Sequence, residues 1–473
     1  MNTMISRRHL LASAAALAAL PLIPGAARAA AGHELRVVRR SIEVKGRAAG
    51  VFGIERAGGG HGLVLDAGEA FRLRLKNDLD EATIVHWHGQ TPPPDQDGVS
   101  QTLYVDPIAP GGFADYDFAA RPGTHWMHSH LGLQEMRLLA APLIVRRKEE
   151  QAADAQEVVV LLHDFAFEDP ETLVAGLGAQ MGHGMDHGMM DHAAMGHGMP
   201  GMGGMDLNDI DFNAFLANDR TLDDPEVVRV ERGGRVRLRL INGAAATAFW
   251  LDFGGAEASL VAVDGNPVQP LSLKLMPLAQ GQRADLLIEV PAGATVPVLA
   301  QREGDTIRTG IVLAAQGAAV ARIAERAGET APPADLSVER LLRPLGTSAR
   351  PVEIRRRVVL GGTMMPYAWT MDGRGWADRI PVAVEAGRRV LVEIVNDSMM
   401  AHPMHLHGHH FDVVSIDGVA VQGARRDTVL VPAGATVGIA FDADNAGRWL
   451  FHCHNLPHMA TGMMTEVVYT PPG

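Results

Sequence analysis

Residues 68–77 read GEAFRLRLKN, residues 233–242 read GGRVRLRLIN, and residues 387–396 read GRRVLVEIVN. In each stretch a glycine leads an asparagine by nine residues, and apolar and polar residues alternate between them. Alternation with a period of two that ends at a turn is typical of a β-strand with one buried face. The pattern recurs about every 160 residues, which predicts three similar β-domains.

Composition and turn residues place the boundaries of these domains. We predict a first domain at 32–147, a second at 155–316 and a third at 351–473, with a linker rich in Ala, Arg, Glu and Pro at 317–350. Short strands separated by Gly and Pro turns predict an all-β protein made of sandwiches or barrels. The second domain carries an insert rich in methionine and histidine at 181–205.

The N-terminal residues 1–29 are typical of a twin-arginine signal peptide. They contain Arg7 and Arg8, an apolar run from Leu10 to Ile23 that is too short for a membrane span, and a small-residue cleavage site ending at Ala29. We therefore expect the twin-arginine export machinery as a partner, a periplasmic location and no membrane span. The alternative is an N-terminal helix of a cytoplasmic protein.

Charge and cysteine usage narrow the function classes. The net charge of −13 argues against nucleic acid and against an anionic membrane surface as partners. The sequence has a single cysteine, Cys453, so an internal disulfide is excluded. The thiol is either buried and inert or kept for chemistry. We expect a monomer.

Ten histidines fall into four clusters, which read HWHG from position 86, HSH from 128, HPMHLH from 402 and HCHNLPH from 452. Each cluster contains His-x-His, and on a strand residues i and i+2 point to the same face. Four such pairs offer eight imidazoles, which suit copper, zinc, iron or nickel. Two clusters lie in the first predicted domain and two in the third.

The fourth cluster favours copper. Cys453 lies between two histidines, so on a strand it points to the opposite face and serves a second site. Its candidate partners are His402, His458 and Met463. Two imidazoles, a thiolate and a weak thioether form the ligand set of a blue-copper centre, whereas zinc prefers a tetrahedral set without a thioether. Strand dimensions put the two sites on the order of 10 Å apart.

At these motifs the sequence resembles the multicopper oxidase family, which includes laccases, ascorbate oxidase and bacterial cuprous oxidases. HWHG, HSH, HPMHLHGH and HCHNLPHMATGMM match the family's four copper motifs in order and spacing. The resemblance implies an all-β fold of three cupredoxin-like Greek-key β-sandwich domains. It also implies that O2 is reduced to two waters by four electrons that enter one at a time.

The resemblance further implies four copper ions per chain. It assigns the type 1 copper to His402, Cys453, His458 and axial Met463, the type 2 copper to His86 and His405, and the type 3 pair to His88, His128, His130, His407, His452 and His454.

Asp97, like Cys453, is a candidate catalytic residue. It lies in the loop PPDQDGV, eleven residues after His86, where family members carry an acid that aids proton delivery. The alternative is a solvated Asp-Gly turn. Met459 stands where some relatives have an acid after the last type 1 histidine, which argues against a second proton route there.

The copper motifs leave the electron donor open among phenols or aromatic amines, Cu(I), and ions such as Mn(II) or Fe(II). Soft thioethers favour Cu(I). Met400 lies two residues before His402, where cuprous oxidases of the family often carry a substrate-site methionine, although core packing explains it equally well.

The insert at 181–205 reads MGHGMDHGMMDHAAMGHGMPGMGGM and has no apolar period that a core could use. A biased linker is the alternative to metal capture. We favour capture of Cu(I), because the residues are restricted to Met, His, Gly, Asp, Ala and Pro. The candidate ligands are Met181, His183, Met185, His187, Met189, Met190, His192, Met195, His197, Met199, Met202 and Met205.

Three hypotheses follow. The leading one is an exported oxidase that takes electrons from Cu(I) in copper tolerance. The second is a laccase that oxidises small phenols, and the third is a periplasmic copper-binding or storage protein without turnover.

Overall fold

All three repeated stretches form strands in the computed structural model, which describes residues 32–180, 207–231, 234–346 and 350–471. The predicted signal peptide at 1–29 and the Met/His-rich insert at 181–205 lie outside the described residues. None of the described helices is long and apolar enough to cross a membrane.

The first stretch of chain folds into two four-stranded sheets. Its strands are β1 (His33–Val44), β2 (Arg47–Arg56), β3 (Leu63–Leu65), β4 (Phe71–Asn77), β5 (Val85–His86), β6 (Phe113–Phe118), β7 (Gly123–Ser129) and β8 (Ala140–Val145), with 3-10 helices at Pro94–Gln96 and Gln134–Arg137. The strand orders are β2-β1-β4-β6 and β3-β8-β7-β5.

The second stretch forms a six-stranded and a five-stranded sheet. Its elements are α1 (Lys148–Ala152), β9 (Gln156–Phe165), α2 (Pro170–Gln180), β10 (Ala214–Ala217), β11 (Val227–Val230), β12 (Arg235–Asn242), β13 (Phe249–Asp252), β14 (Ala258–Val263), β15 (Asn266–Leu273), β16 (Leu275–Leu278), β17 (Arg283–Glu289), β18 (Thr295–Arg302) and β19 (Arg308–Ala315). The orders are β10-β9-β12-β17-β14-β15 and β11-β19-β18-β13-β16.

The third stretch forms a seven-stranded and a five-stranded sheet. Its elements are β20 (Ile354–Met364), β21 (Tyr367–Met371), a 3-10 helix (Trp376–Asp378), β22 (Val382–Glu385), β23 (Arg389–Asn396), β24 (His402–Leu406), β25 (Phe411–Ile416), β26 (Val419–Ala420), β27 (Arg425–Arg426), β28 (Thr428–Val431), β29 (Thr436–Asp442), β30 (Arg448–Cys453), α3 (Leu456–Ala460) and β31 (Met464–Thr470). The orders are β21-β20-β23-β29-β25-β26, with β27 on β25, and β22-β31-β30-β24-β28.

The same topology recurs in these three parts of the chain, each of which forms two sheets. The last strand of each, β8, β19 or β31, pairs in parallel with a short strand that precedes the repeated strand, namely β3, β11 or β22. The repeated strands β12 and β23 each have one parallel and one antiparallel neighbour. Each pair of sheets encloses one apolar core, so each stretch is a β-sandwich.

The predicted alternation holds for β4, where Phe71, Leu73 and Leu75 face the core between exposed residues. It fails in β12, which is buried on both faces from Leu238 to Asn242. The outward face of β12 meets the first sandwich, because Nη1 of Arg239 donates to Thr124 Oγ1 at 3.0 Å.

The asparagine that ends each repeated strand has one structural role in all three. In the third sandwich, Asn396 Nδ2 donates to the carbonyls of Met400 (2.7 Å) and Val431 (2.9 Å), and its Oδ1 accepts the N–H two residues on. Asn77 and Asn242 make the same three kinds of bond. All three side chains are buried, so the asparagine closes the turn that follows the strand.

The predicted linker at 317–350 joins two cores rather than crossing solvent. Ala334 and Leu336 pack into the core of the third sandwich, and Val338 and Leu342 pack into that of the second. The second and third sandwiches are therefore held together by apolar contacts of the segment between them.

We expect Asn242→Ala to lower the free energy of unfolding by about 3 kcal/mol, because it leaves the buried carbonyls of Thr247 and Leu278 without their donor. Asn213→Ala is the matched control, since Asn213 is exposed and a loss below about 1 kcal/mol is expected there. Denaturant unfolding of both variants measures the difference. Equal losses would show that the closing bonds are not what stabilises the turn.

Candidate metal centres

The four histidine clusters converge from the first and third sandwiches. In the first, β5 pairs with β7 so that His86 lies opposite His128. In the third, β24 pairs with β30 so that His405 lies opposite His452. Every predicted ligand in the four clusters is buried, with at most 3% of its surface exposed.

His402, Cys453 and His458 form a first group. The two Nδ1 atoms are 3.0 Å apart, and Cys453 Sγ lies 3.6 Å from that of His402 and 3.7 Å from that of His458. Met463 is buried in the same core, and its backbone carbonyl accepts from the N–H of Cys453 at 3.1 Å. We call this group the cysteine site.

Polar contacts on the far side orient the two imidazoles of the cysteine site. His402 Nε2 lies 2.7 Å from Ser398 Oγ, and His458 Nε2 lies 3.1 Å from a carboxylate oxygen of Asp209. Asp209 is itself held by the Tyr367 hydroxyl and the Asn455 amide, each at 2.8 Å. With the outer Nε2 atoms occupied in this way, the Nδ1 lone pairs are directed at the common centre.

The other eight histidines form one cluster, which we call the histidine cluster. Its first part is a pair, His86 and His405, whose Nε2 atoms are 3.4 Å apart. The Nδ1 atom of each ring lies 2.9 Å from a backbone carbonyl, that of Asp97 or Asp427. Donation of the Nδ1 proton to these carbonyls leaves both Nε2 lone pairs free for a metal.

The second part of the histidine cluster is a group of three rings, His130, His407 and His452. Their Nε2 atoms face one another, with that of His452 3.5 Å from His130 and 3.0 Å from His407. Protonated rings would repel one another at these distances, and so would Nε2–H groups that face one another. A cation bound between the three Nε2 atoms removes this repulsion. Cys453 contributes its carbonyl to the Nδ1 atom of His452 at 2.9 Å.

The third part consists of His88, His128 and His454, whose ligand atoms all lie within 4.8 Å of one another. In the described part of the chain, His88 Nδ1, His128 Nε2 and His454 Nε2 are buried and have no hydrogen-bond partner. Buried polar atoms without a partner are costly, and three that converge fit a metal ion. The residues present therefore fit bound metal.

Burial favours the neutral form of several of these ligands. It lowers the pKa of His452 to about 3, and burial followed by repulsion from neighbouring imidazoles lowers the pKa of His130, His402, His405 and His407 well below the usual range. Burial raises the pKa of the Cys453 thiol. A cation in the cysteine site would compensate the thiolate, and the neutral rings have lone pairs to donate.

Asp97 is buried with 1% of its surface exposed, which does not fit a solvated turn. One carboxylate oxygen lies 2.8 Å from His407 Nδ1 and the other 3.3 Å from His86 Nδ1. The residue thus contacts two parts of the histidine cluster.

Three further carboxylates that the sequence analysis missed contact the predicted ligands. Asp427 lies 3.0 Å from His88 Nε2 and is paired with Arg283 of the second sandwich, while Glu135 lies 2.7 Å from His128 Nδ1. Asp209 is the third. No motif or spacing marks these residues, although Gln134, Glu135 and Arg137 interrupt an otherwise apolar segment after HSH.

A cavity of about 540 Å³ opens beside the cysteine site, between the second and third sandwiches. Its wall includes Met399, Met400 and Ala401 next to His402, and Asn455 next to His454. Met399 is 68% exposed and Met400 only 6%. The predicted residue Met400 therefore lines a cavity as well as packing into the core.

Models of the multicopper oxidase family match the chain at residues 37–150, 156–315 and 350–473. The chain is 30% identical to the multicopper oxidase MmcO of Mycobacterium tuberculosis, over 85% of this chain and 80% of that protein. It is 28% identical to a copper resistance protein A homolog of Pseudomonas syringae pv. tomato, over 85% of this chain and 86% of that protein.

A solved structure gives the same result for the fold. The crystal structure of a multi-copper oxidase from Pseudomonas thermotolerans matches with a TM-score of 0.71 and 26% identity, covering 93% of this chain and 99% of that one. The prediction of an all-β fold with cupredoxin-like sandwich domains is confirmed.

Burial of neutral histidines gives the metal-free protein a pH-dependent stability. Burial lowers the pKa of His163 to about 4, against about 6.5 in an unfolded chain. Below about 6.5 the unfolded chain binds the proton and the folded protein does not, so stability falls as the pH is lowered toward 4. His163→Gln should reduce this slope by up to about 1.4 kcal/mol per pH unit.

Denaturant unfolding of the metal-free protein and of His163→Gln at several pH values between 7 and 4 measures the slope. An unchanged slope in the variant would contradict a neutral, buried His163.

Proposed function

The chain belongs to the multicopper oxidase family, and we propose that it is an exported cuprous oxidase that oxidises Cu(I) and reduces O2 to water in copper tolerance. As a member of this family it is a copper-containing oxidoreductase. The observation that carries the donor assignment is the position of the cavity with Met399 and Met400 beside the cysteine site.

The proposed copper sites follow the groups described above. We assign the type 1 copper to the cysteine site with axial Met463, and the type 2 copper to His86 and His405. The type 3 pair takes two groups of three rings, which are His130, His407 and His452, and His88, His128 and His454. Four ions per chain would then be bound.

Bound copper would supply one-electron transfer at the cysteine site and four-electron reduction of O2 at the histidine cluster. The chain contributes the link between the two. His452, Cys453 and His454 are consecutive, so the backbone of three residues connects the cysteine site to both groups of three rings. The enclosing sandwiches exclude water from the ligands, which are all buried.

Asp97 is the proposed proton donor to the histidine cluster. Its carboxylate contacts the Nδ1 atoms of His407 and His86, and its carbonyl also accepts from His86. A carboxylate within hydrogen-bond reach of two rings meets the geometric requirement for general acid–base work.

The chain on both sides of the Met/His-rich insert is anchored near the cavity. Before the insert, Leu177 of α2 packs with Ala245 and with Leu456, two residues before His458. After it, Leu207 lines the cavity itself. The insert lies outside the described residues, but these anchors support its proposed role of capturing Cu(I) close to the donor cavity.

A second candidate donor is a small phenol. A volume of about 540 Å³ lies in the range of small-molecule pockets. The wall is largely apolar and carries a buried carboxyl, Glu303, whose pKa burial raises to about 7. The laccase hypothesis therefore stays as the alternative, whereas storage without turnover does not fit an oxidoreductase that retains every predicted ligand.

Export through the twin-arginine machinery and a periplasmic location are part of the proposal. The sequence of residues 1–29 supports them, as does the likeness to proteins named for copper resistance. We propose a monomer, since each predicted ligand of the described chain lies within a single protomer.

The donor assignment is tested by steady-state kinetics with Cu(I) and with a phenol. Deletion of residues 181–205, or the double variant Met399→Leu and Met400→Leu, should lower kcat/KM for Cu(I) at least tenfold, about 1.4 kcal/mol of transition-state stabilisation. The value for the phenol should stay unchanged or rise, because the thioethers are lost and the cavity is kept.

Met365→Leu is the control, because Met365 is an exposed methionine outside the cavity wall. Cys453→Ser should abolish oxidation of both donors. An unchanged kcat/KM for Cu(I) in the deletion and in the double variant, with fast phenol turnover, would favour the laccase hypothesis.

A further inference from the structure

Glu135 carries a buried carboxyl group that contacts a predicted copper ligand. It lies in the 3-10 helix Gln134–Arg137, five residues after His130, with 4% of its surface exposed. Its Oε2 atom is 2.7 Å from Nδ1 of His128. Within the described chain, its Oε1 atom has no hydrogen-bond partner and no other side chain lies at ion-pair distance.

The backbone around Glu135 is fixed by its neighbours. Oε1 of Gln134 accepts from the hydroxyls of Thr83 and Ser129, and its amide donates to Glu81 and to a backbone carbonyl. The helix ends at Arg137, and the next residue, Leu138, has a positive φ of 63° and donates its N–H to the carbonyl of Glu135 at 2.9 Å. This turn has little conformational freedom, and it holds the carboxyl group of Glu135 next to His128.

The contact with Glu135 is the shorter of two that His128 Nδ1 makes. The ring also lies 3.1 Å from the carbonyl of Ser129, a longer and neutral contact. Glu135 Oε2, at 2.7 Å, is the nearer of the two oxygens to His128 Nδ1. An oxygen that accepts from Nδ1 keeps the proton on that nitrogen and leaves the Nε2 lone pair free.

We propose that Glu135 is a positioning residue for the histidine cluster: by accepting the Nδ1 proton of His128, it fixes the ring so that Nε2 faces His88 and His454. This inference rests on the proposed role of His128 as a copper ligand. It adds to the cluster an acid from outside the four motifs. Asp97 and Asp427 do the same for His407 and His88.

Removal of such a partner lowers metal affinity roughly 10- to 100-fold in other sites. Glu135→Ala should therefore lower the affinity for one copper ion of the histidine cluster by that factor, measured by competition with a chelator. Glu135→Gln should retain more of the affinity, because the amide oxygen can still accept from Nδ1. The copper content per chain and the electron paramagnetic resonance spectrum identify the ion that is lost.

Asp164→Ala is the matched control. Asp164 is a buried carboxyl that accepts from Ala245, Ala246 and Thr247 and contacts no predicted ligand. We expect it to lower stability and leave the copper affinities unchanged. The same affinities in Glu135→Ala and in the unsubstituted protein would overturn the inference, as would a loss in Asp164→Ala equal to that in Glu135→Ala.

The two proposals fail in different ways. If the unsubstituted protein holds no copper in the histidine cluster, the proposed function is wrong. If it holds the full complement and Glu135→Ala holds it with equal affinity, only the positioning role is wrong. Should Glu135→Ala not fold, Glu135→Leu takes its place, because it fills similar space without a hydrogen-bond acceptor. A copper affinity equal to that of the unsubstituted protein would then exclude the positioning role.

Discussion

Side-chain alternation along β30 is the constraint on which the candidate centres depend. The side chains of His452 and His454 belong to two different groups of three rings, and the side chain of Cys453, between them, belongs to the cysteine site. The pairing of β30 with β24 then brings His405 and His402 to the two sides of the same sheet. A shift of one residue in this register would exchange the two faces and separate every group.

Buried ligands need partners for their second nitrogen, and the sandwiches supply them. In the histidine cluster, backbone carbonyls serve His86, His405 and His452. The carboxyl groups of Asp97, Asp427 and Glu135 contact His407, His88 and His128. A backbone carbonyl comes with the fold, whereas a buried carboxylate carries a charge whose burial is costly. The second sandwich offsets part of that cost, since its Arg283 pairs with Asp427.

Much of the fold and the candidate ligands could be predicted from short patterns. The three strands ending in asparagine mark the three sandwiches, and the four histidine clusters contain every histidine and the cysteine of the converging groups. Asp427 and Asp209 could not be predicted, because they meet their histidines only through tertiary packing between distant segments. Glu135 lies near His128 in the sequence, but no motif marks the turn that brings it back to that ring. The burial of β12 on both faces was missed for the same reason, since Arg239 faces another sandwich.

The central claim is that one cysteine site and one histidine cluster hold the coppers of a single catalytic unit. Diffraction data from crystals of the copper-loaded protein, collected at the copper absorption edge, test it most directly. The account predicts one anomalous peak bounded by His402, Cys453 and His458, and three peaks within the eight-histidine cluster. A cysteine site without copper, or a histidine cluster holding a single ion, would contradict it.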